Sequence, residues 1–376
     1  MRTDSKDWTA REFATGGQLI NDPAAEPLPR VDPIQALPIV VLFPHSGCNC
    51  RCLMCDIWRK RERQEIAPED VARWLPEWRG LNVQRVVLSG GEPLLHSDLW
   101  RLCDPLRQAG MAITVLTTGL LLKRDAESLA RYCDDVIVSL DGPRDVHNQI
   151  RNVPQAYERL AEGVSAVRRA NPGARISGRC TVQRRNFGCL RATVAAAHEL
   201  GLKWLSFLAA DVRTEAFHRP GGWTHDRVAS VALEADDLPQ LAAELAALER
   251  DCAADLASGY IRESPEKLRR CLVEYFRALV GRGGFPPLRC NAPWVSTVIE
   301  TEGTVRPCFF QPPLGNVFAV GGLAAVLNAP QAIAWRRALD VRRNEICRKC
   351  VCTLSWKGEA CSVPPAVALG GRGTNP

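Results

Sequence analysis

No run of apolar residues in this 376-residue chain is long enough to span a bilayer. The opening stretch MRTDSKDWTAREFATGG lacks the apolar centre of a secretory signal. There is no dense Lys/Arg tract interleaved with aromatics, and 48 basic against 42 acidic residues leave a formal charge of only +6. Nucleic acid is therefore not an expected partner, and neither is a membrane. No internal repeat and no low-complexity block interrupts the pattern. These absences predict a cytoplasmic protein whose thiols stay reduced. Hydrophobic residues make up 46% and charged residues 24% of the chain, and the length suffices for a core without disulfide staples. What the chain has in excess is cysteine. Its sixteen cysteines read as metal ligands or buried small hydrophobes rather than as disulfides.

Six short apolar runs alternate with amphipathic stretches. IVVLF (39–43), VVLS (86–89), AITVL (112–116), DVIVSL (135–140), SGRCTV (177–182) and WLSFL (204–208) predict buried parallel strands. Helices are predicted over 97–110, opened by a Ser/Asp cap and closed by Gly110, and over 154–170, with Pro154 near the start. Strand and helix repeated six times argue for an α/β barrel or an open parallel sheet, with ligands at the C-terminal ends of the strands. Two further helices are predicted at 238–256 and 265–284, and the region beyond Leu288 is short-stranded and rich in cysteine. The expected organisation is an arm (1–37), a barrel (38–230), a helical connection (231–286), a small cysteine-rich domain (287–362) and a disordered tail (363–376).

The first strand runs directly into GCNCRCLMC, where Cys48, Cys52 and Cys55 have the spacing C-x3-C-x2-C. Three thiolates on one loop can cap three corners of a cubane iron–sulfur cluster, leaving the fourth iron without a protein ligand. A zinc knuckle is the alternative, although zinc prefers four ligands in two separated pairs. Cys50 falls outside the spacing and reads as a bystander.

LSGGEPLL (88–95) follows the second strand, and VSLDGPRDVHNQIR (138–151) spans the end of the fourth. Together with the cysteine loop these segments resemble the radical S-adenosylmethionine (radical SAM) enzymes, over roughly residues 38–210. The resemblance implies a partial (β/α)6 TIM-like barrel and a 4Fe-4S cluster on Cys48, Cys52 and Cys55, with S-adenosylmethionine on the open iron. It implies cofactor contacts from Gly90 and Gly91, whose backbone can approach closely, and from Glu92 near the ammonium. Ser139 is implied near the ribose, and Arg151, the arginine of H-[DN]-x-x-R, near the carboxylate. Met54 stands where the family often has an aromatic residue before its last cysteine, and a polarizable thioether can contact adenine. The family's Thr-Asn-Gly after the third strand is TTG (117–119) here.

Cys290 and Cys308 enclose C-x12-G-x4-C, with Gly303 at a hairpin turn, and Cys347 and Cys350 form C-x2-C. A zinc ribbon would suit two such pairs. Beside the barrel motifs, the pattern resembles the twitch domain, the shortened form of SPASM, which implies one auxiliary 4Fe-4S cluster on Cys290, Cys308, Cys347 and Cys350. A full SPASM domain would place further cysteines at positions held by Trp356 and Ala360; Cys352 and Cys361 are off register, and either is the runner-up for one ligand.

The expected function is reductive cleavage of S-adenosylmethionine and hydrogen abstraction from a substrate, in an oxidation or bond-forming step. No catalytic residue is assigned. Cys180 on the fifth strand and the cysteines in the helices read as core. Arg184 either holds an anion at the open face or is solvated. The arm before residue 38 is shorter than the leader-binding domain of peptide-modifying relatives, so a small-molecule substrate is expected, with a peptide maturase as runner-up. A non-catalytic iron–sulfur electron carrier is the alternative of another class. The expected partner is a one-electron reductant such as flavodoxin or ferredoxin.

Overall fold

The computed structural model describes residues 32–356. The expected tail, all but the last six residues of the expected arm, and Cys361 lie outside these. Each apolar run forms a strand: β1 (Ile39–His45), β2 (Arg85–Gly90), β3 (Ala112–Thr117), β4 (Asp135–Ser139), β5 (Ile176–Val182) and β6 (Leu205–Ala209). They pair in parallel in chain order, with registers such as Val40↔Val86, Val87↔Thr114 and Val136↔Ile176. Strands β1 and β6 do not pair with each other, so the barrel is partial.

The free edge of β1 carries the C-terminal hairpin. Strand β7 (Ser296–Ile299) pairs with β1 in parallel, Ile39↔Ser296 to Leu42↔Ile299, and β8 (Thr304–Arg306) and β9 (Gly315–Asn316) follow antiparallel. One nine-stranded sheet therefore runs from barrel to cysteine-rich region, in the order β6-β5-β4-β3-β2-β1-β7-β8-β9. Gly303 makes the β7–β8 turn at φ +82°, a left-handed conformation that favours glycine.

Alternate strand residues feed two cores. Val40, Leu42, Val86, Leu88, Ile113 and Val115 pack beneath the outer helices. Ile39, Val41 and Val87 face inward and meet Trp294, Val298, Leu339, Val341 and Trp356 of the C-terminal region. Burial of each such side chain contributes about 1.5–3 kcal/mol. The strands are buried on both faces, which is why they read as continuous apolar runs rather than as alternation.

The helices follow the sequence pattern, with local departures. Helix α1 (Pro68–Gly80) starts on a proline at its first position. Helix α2 (Leu99–Gln108) has Asp98 at its N-cap but no side-chain cap bond, because Ser97 and Asp98 turn to Glu65 and Arg101. Helix α3 spans Ala126–Tyr132 and α4 spans Arg144–Arg151. Helix α5 (Ala156–Ala170) buries Tyr157, Leu160, Val164 and Val167 at helical spacing, and α6 spans Leu190–Glu199. The predicted helix at 238–256 breaks at Cys252 into two, and that at 265–284 contains a π-helical stretch, Arg269–Glu274, and stops at Leu279. No helix among the described residues is long and apolar enough to cross a membrane.

Candidate cofactor site and adjoining cleft

The loop after β1 lies at the C-terminal end of the barrel. Its backbone bonds to the end of α4, where the amides of Arg51 and Leu53 donate to the carbonyls of Arg151 and Ile150 at 3.1 Å each. Cys48, Cys52 and Cys55 border a cavity of about 250 Å³, together with Met54, Gly90, Gly91, Thr117, Thr118, Ser139, Arg151 and Arg179. Cys50 is buried but is not part of that lining. Burial pushes the Cys55 thiol up to about 12 and raises Cys48 as well. Cys52 is lowered to about 7, first by its hydrogen bond with Cys50 and also by the nearby Arg151 guanidinium.

The two glycines act through the backbone. A Cβ on Gly91 would collide with the carbonyl oxygen of Gly47, and Glu92 N donates to that same oxygen at 2.8 Å. Gly90 sits at φ +104°. Gly91 thus lets the β2 loop press against the cysteine loop, while Gly90 packs on Phe43 of β1.

Arg151 is buried; its Nη2 pairs with Asp141 at 2.6 Å and its Nη1 donates to Cys52 Sγ at 3.5 Å. Burial opposes the charge, but Asp141 together with Cys52 and Cys50 outweighs it and holds Arg151 protonated. The Nε of Arg151 is buried with no hydrogen-bond partner among the described residues. Glu92 lies behind the cavity rather than on it. Its carboxylate accepts from Thr117 Oγ1 at 2.8 Å, Thr118 N at 2.7 Å and Leu94 N at 3.1 Å, tying the β2 loop to the β3 loop. Cys180 is core, as expected from the sequence. Arg184 turns aside to pair with Glu234 at 2.6 Å, so it neither faces the cavity nor stands free in solvent.

The segment after β6 was not legible as part of the site. Arg219 Nη2 donates to Met54 O at 2.8 Å, Arg227 Nη2 to Leu53 O at 2.6 Å, and Trp223 Nε1 to Asp56 Oδ2 at 2.5 Å. Its only sequence signal is RTEAFHRPGGW (213–223), an aromatic and arginine cluster at the C-terminal end of the last strand.

The second set of thiols gathers beside the barrel. Burial pushes Cys290 up to about 11 and Cys308 to about 12, and the proximity of Cys347 adds to both. Cys350 is raised by burial and then by Cys352, Cys290 and Cys308. Gln311 Nε2 donates to Cys347 Sγ at 3.1 Å. Asn291 holds the region closed, exchanging bonds of 2.9 Å each with the backbone of Leu354 and Trp356. Cys352 is exposed and lines the barrel cavity. Among the described residues, no three His, Cys, Asp or Glu side chains are grouped to hold a single metal ion. A cubane spreads its thiolates over four corners, and the two thiol sets, one beside an empty volume, fit that donor chemistry.

The residues after Cys308 join both regions. Phe309 and Phe310 line the barrel cavity and also a neighbouring cleft of about 770 Å³. Phe310 meets Phe217 edge-on at 5.9 Å, and Phe309 lies 5.9 Å from Phe43. Ion pairs Lys60–Glu302 (3.4 Å) and Glu300–Arg306 (2.8 Å) form part of the cleft wall.

Comparison with known proteins places these features in context. Residues 42–186 match the model of the radical SAM superfamily, and residues 290–351 match SPASM, an iron–sulfur cluster-binding domain. The chain is 28% identical over 161 residues to the AdoMet-dependent heme synthase of Methanosarcina barkeri, covering 42% of this chain and 46% of that protein. It thus spans less than half the length of that curated relative. Its fold resembles native anSMEcpe with bound AdoMet, with a TM-score of 0.59 and 18% identity over 83% of this chain and 86% of that one. It also resembles Streptococcus suis SuiB bound to precursor peptide SuiA, with a TM-score of 0.58 and 17% identity over 84% and 71% of the two chains.

Proposed function

The chain belongs to the radical SAM superfamily and carries a SPASM-type iron–sulfur domain, and from that premise we propose that it cleaves S-adenosylmethionine reductively and oxidises, or forms a bond on, a small molecule held in the cleft. When bound, the barrel 4Fe-4S cluster and S-adenosylmethionine supply a 5′-deoxyadenosyl radical that removes a hydrogen atom, and the auxiliary 4Fe-4S cluster supplies an electron acceptor.

The protein's share of the work is binding, orientation and exclusion of water. Cys48, Cys52 and Cys55 hold the barrel cluster by three corners and leave the fourth for the cosubstrate's amino and carboxylate groups. Gly90 and Gly91 would present backbone to the ammonium, Ser139 would lie near the ribose and Met54 near the adenine. Arg151, fixed by Asp141 and with its Nε buried and unpartnered, would bind the carboxylate. Glu92 acts one step back, holding the β2 and β3 loops together. Cys290, Cys308, Cys347 and Cys350 hold the auxiliary cluster, and Phe309 and Phe310 wall the substrate against the cofactor cavity. Residues 38–230 are assigned to the barrel and 287–362 to the auxiliary unit. An external one-electron donor such as flavodoxin or ferredoxin completes the system.

The observation that carries the oxidation reading is the shared wall. Phe309, Phe310, Val351 and Cys352, from the auxiliary region, line the same cavity as the three barrel thiols. A substrate held there would lie beside the auxiliary region, whose Cys290, Cys308, Cys347 and Cys350 would hold a cluster able to accept an electron. A volume of about 770 Å³ suits a small ligand. A peptide is the second reading, favoured by the paired charges along the cleft wall. The test is anaerobic incubation of reconstituted, reduced protein with S-adenosylmethionine. Release of 5′-deoxyadenosine is expected; full iron loading without any release would favour an electron carrier.

A further inference from the structure

The loop that follows β6 grips the cysteine loop on both sides of Cys55. Arg219 is at its centre, 2% exposed and lining both the cavity and the cleft. Its Nη1 pairs with Asp211 Oδ2 at 2.9 Å and its Nη2 donates to the carbonyl of Met54 at 2.8 Å. Its guanidinium lies 3.9 Å from the centre of the Trp223 ring. Trp223 in turn donates to Asp56, whose amide donates to Phe217 O at 3.2 Å. The residues on either side of Cys55 are therefore both anchored to this loop. Phe217 and His218 hold φ of +61° and +62°, a left-handed backbone that non-glycine residues keep only where the surroundings enforce it. The Nε of Arg219 is buried without a hydrogen-bond partner among the described residues.

We propose that Arg219 is a positioning residue of the barrel cluster, clamping the cysteine loop through the Met54 carbonyl and holding a fixed positive charge beside Cys55. The inference rests on Cys48, Cys52 and Cys55 being the cluster ligands. Reduction adds a negative charge to the cluster. Arg219 is paired with Asp211, but its Nη2 is the end that reaches the cysteine loop, so the positive end of the pair lies on the cluster side and favours the reduced form, weakly screened in low-dielectric surroundings. Arginine suits the task because its planar fork serves the carbonyl and Asp211 together while its face stacks on Trp223.

The test compares Arg219→Lys with Arg219→Gln in anaerobically reconstituted full-length protein. The readouts are iron per chain and a redox titration followed by electron paramagnetic resonance. The signal to follow is the component that changes when S-adenosylmethionine is added. Arg219→Lys keeps the charge but not the fork, so its reduction equilibrium is expected to stay within about twofold of the parent. Arg219→Gln is expected to shift the reduction equilibrium about tenfold toward the oxidised form, which is 59 mV for a one-electron couple. A selective loss of iron from the Gln variant also supports the clamp. Because Arg219→Gln leaves Asp211 buried and unpaired, the pair Asp211→Asn with Arg219→Gln is measured beside it and is expected to shift in the same direction. Identical behaviour of the Lys and Gln variants, or a Gln variant and neutral pair that both match the parent, overturns the proposal. A parent without any S-adenosylmethionine-sensitive signal overturns the cofactor reading as well.

Discussion

The barrel thiols and the C-terminal thiols solve different problems with the same ligand. The barrel places three within eight residues of one loop, Cys48 to Cys55, and borders them with an open cavity. The C-terminal region draws four from positions 290 to 350, held together by a hairpin, the Asn291 bonds and the C-x2-C turn. Three thiolates leave a corner of a cubane for a substrate; four leave none. On the proposed assignment, the first site suits chemistry on a bound molecule and the second electron transfer. Phe309 and Phe310, immediately after Cys308, and Val351 and Cys352, immediately after Cys350, are where the two meet.

The contrast breaks most sharply at the barrel. Replacing Cys48, Cys52 and Cys55 together with Ala should cut 5′-deoxyadenosine release at least about a thousandfold, while Cys50→Ala leaves it unchanged. Loss of release in Cys50→Ala alone would put Cys50 in the ligand set. The next largest effect belongs to the second site. Cys347→Ala with Cys350→Ala should lower iron from about eight to about four per chain and reduce substrate conversion about a hundredfold or more. Release of 5′-deoxyadenosine should persist, so the ratio of product to 5′-deoxyadenosine is decisive. An unchanged ratio would make the second site structural.

A milder change sharpens the boundary between the two. Phe310→Ala removes the edge contact with Phe217 and opens the wall. Product per 5′-deoxyadenosine should drop about tenfold as the substrate loses its fixed position, with iron content unaltered. The smallest effect is expected from Cys352→Ala. It should still hold about eight irons, because Cys352 is exposed and faces the barrel cavity. A loss of about four irons would instead exchange Cys352 for one of the assigned ligands.

Much of the barrel was legible because its signals are local. Each apolar run from Ile39 to Leu208 became a strand, and C-x3-C-x2-C sits on one loop whose thiols cannot be far apart. Gly91 was read as backbone that approaches the cofactor; the packing of its Cα against the carbonyl of Gly47 was not legible. Glu92 was read as a cofactor contact from its motif, yet its neighbours Thr117 and Thr118, 25 and 26 residues away, occupy its carboxylate. The Arg219 clamp was illegible for the same reason: it bonds to Met54, 165 residues earlier in the chain.

The sequence by itself determined the six barrel strands, the cysteine loop that follows the first of them, and the paired spacing of Cys290 with Cys308 and of Cys347 with Cys350. Periodicity, turn residues and short ligand spacings all act within a few residues of chain. Only the tertiary structure decided that β7 would pair with β1, that Trp294 and Trp356 would plug the inner face of the barrel, and that Phe309 and Phe310 would divide cavity from cleft. Those outcomes depend on which buried surfaces and backbone edges find each other across some 250 residues of chain. Burial is nondirectional and carries no spacing rule that one sequence can display.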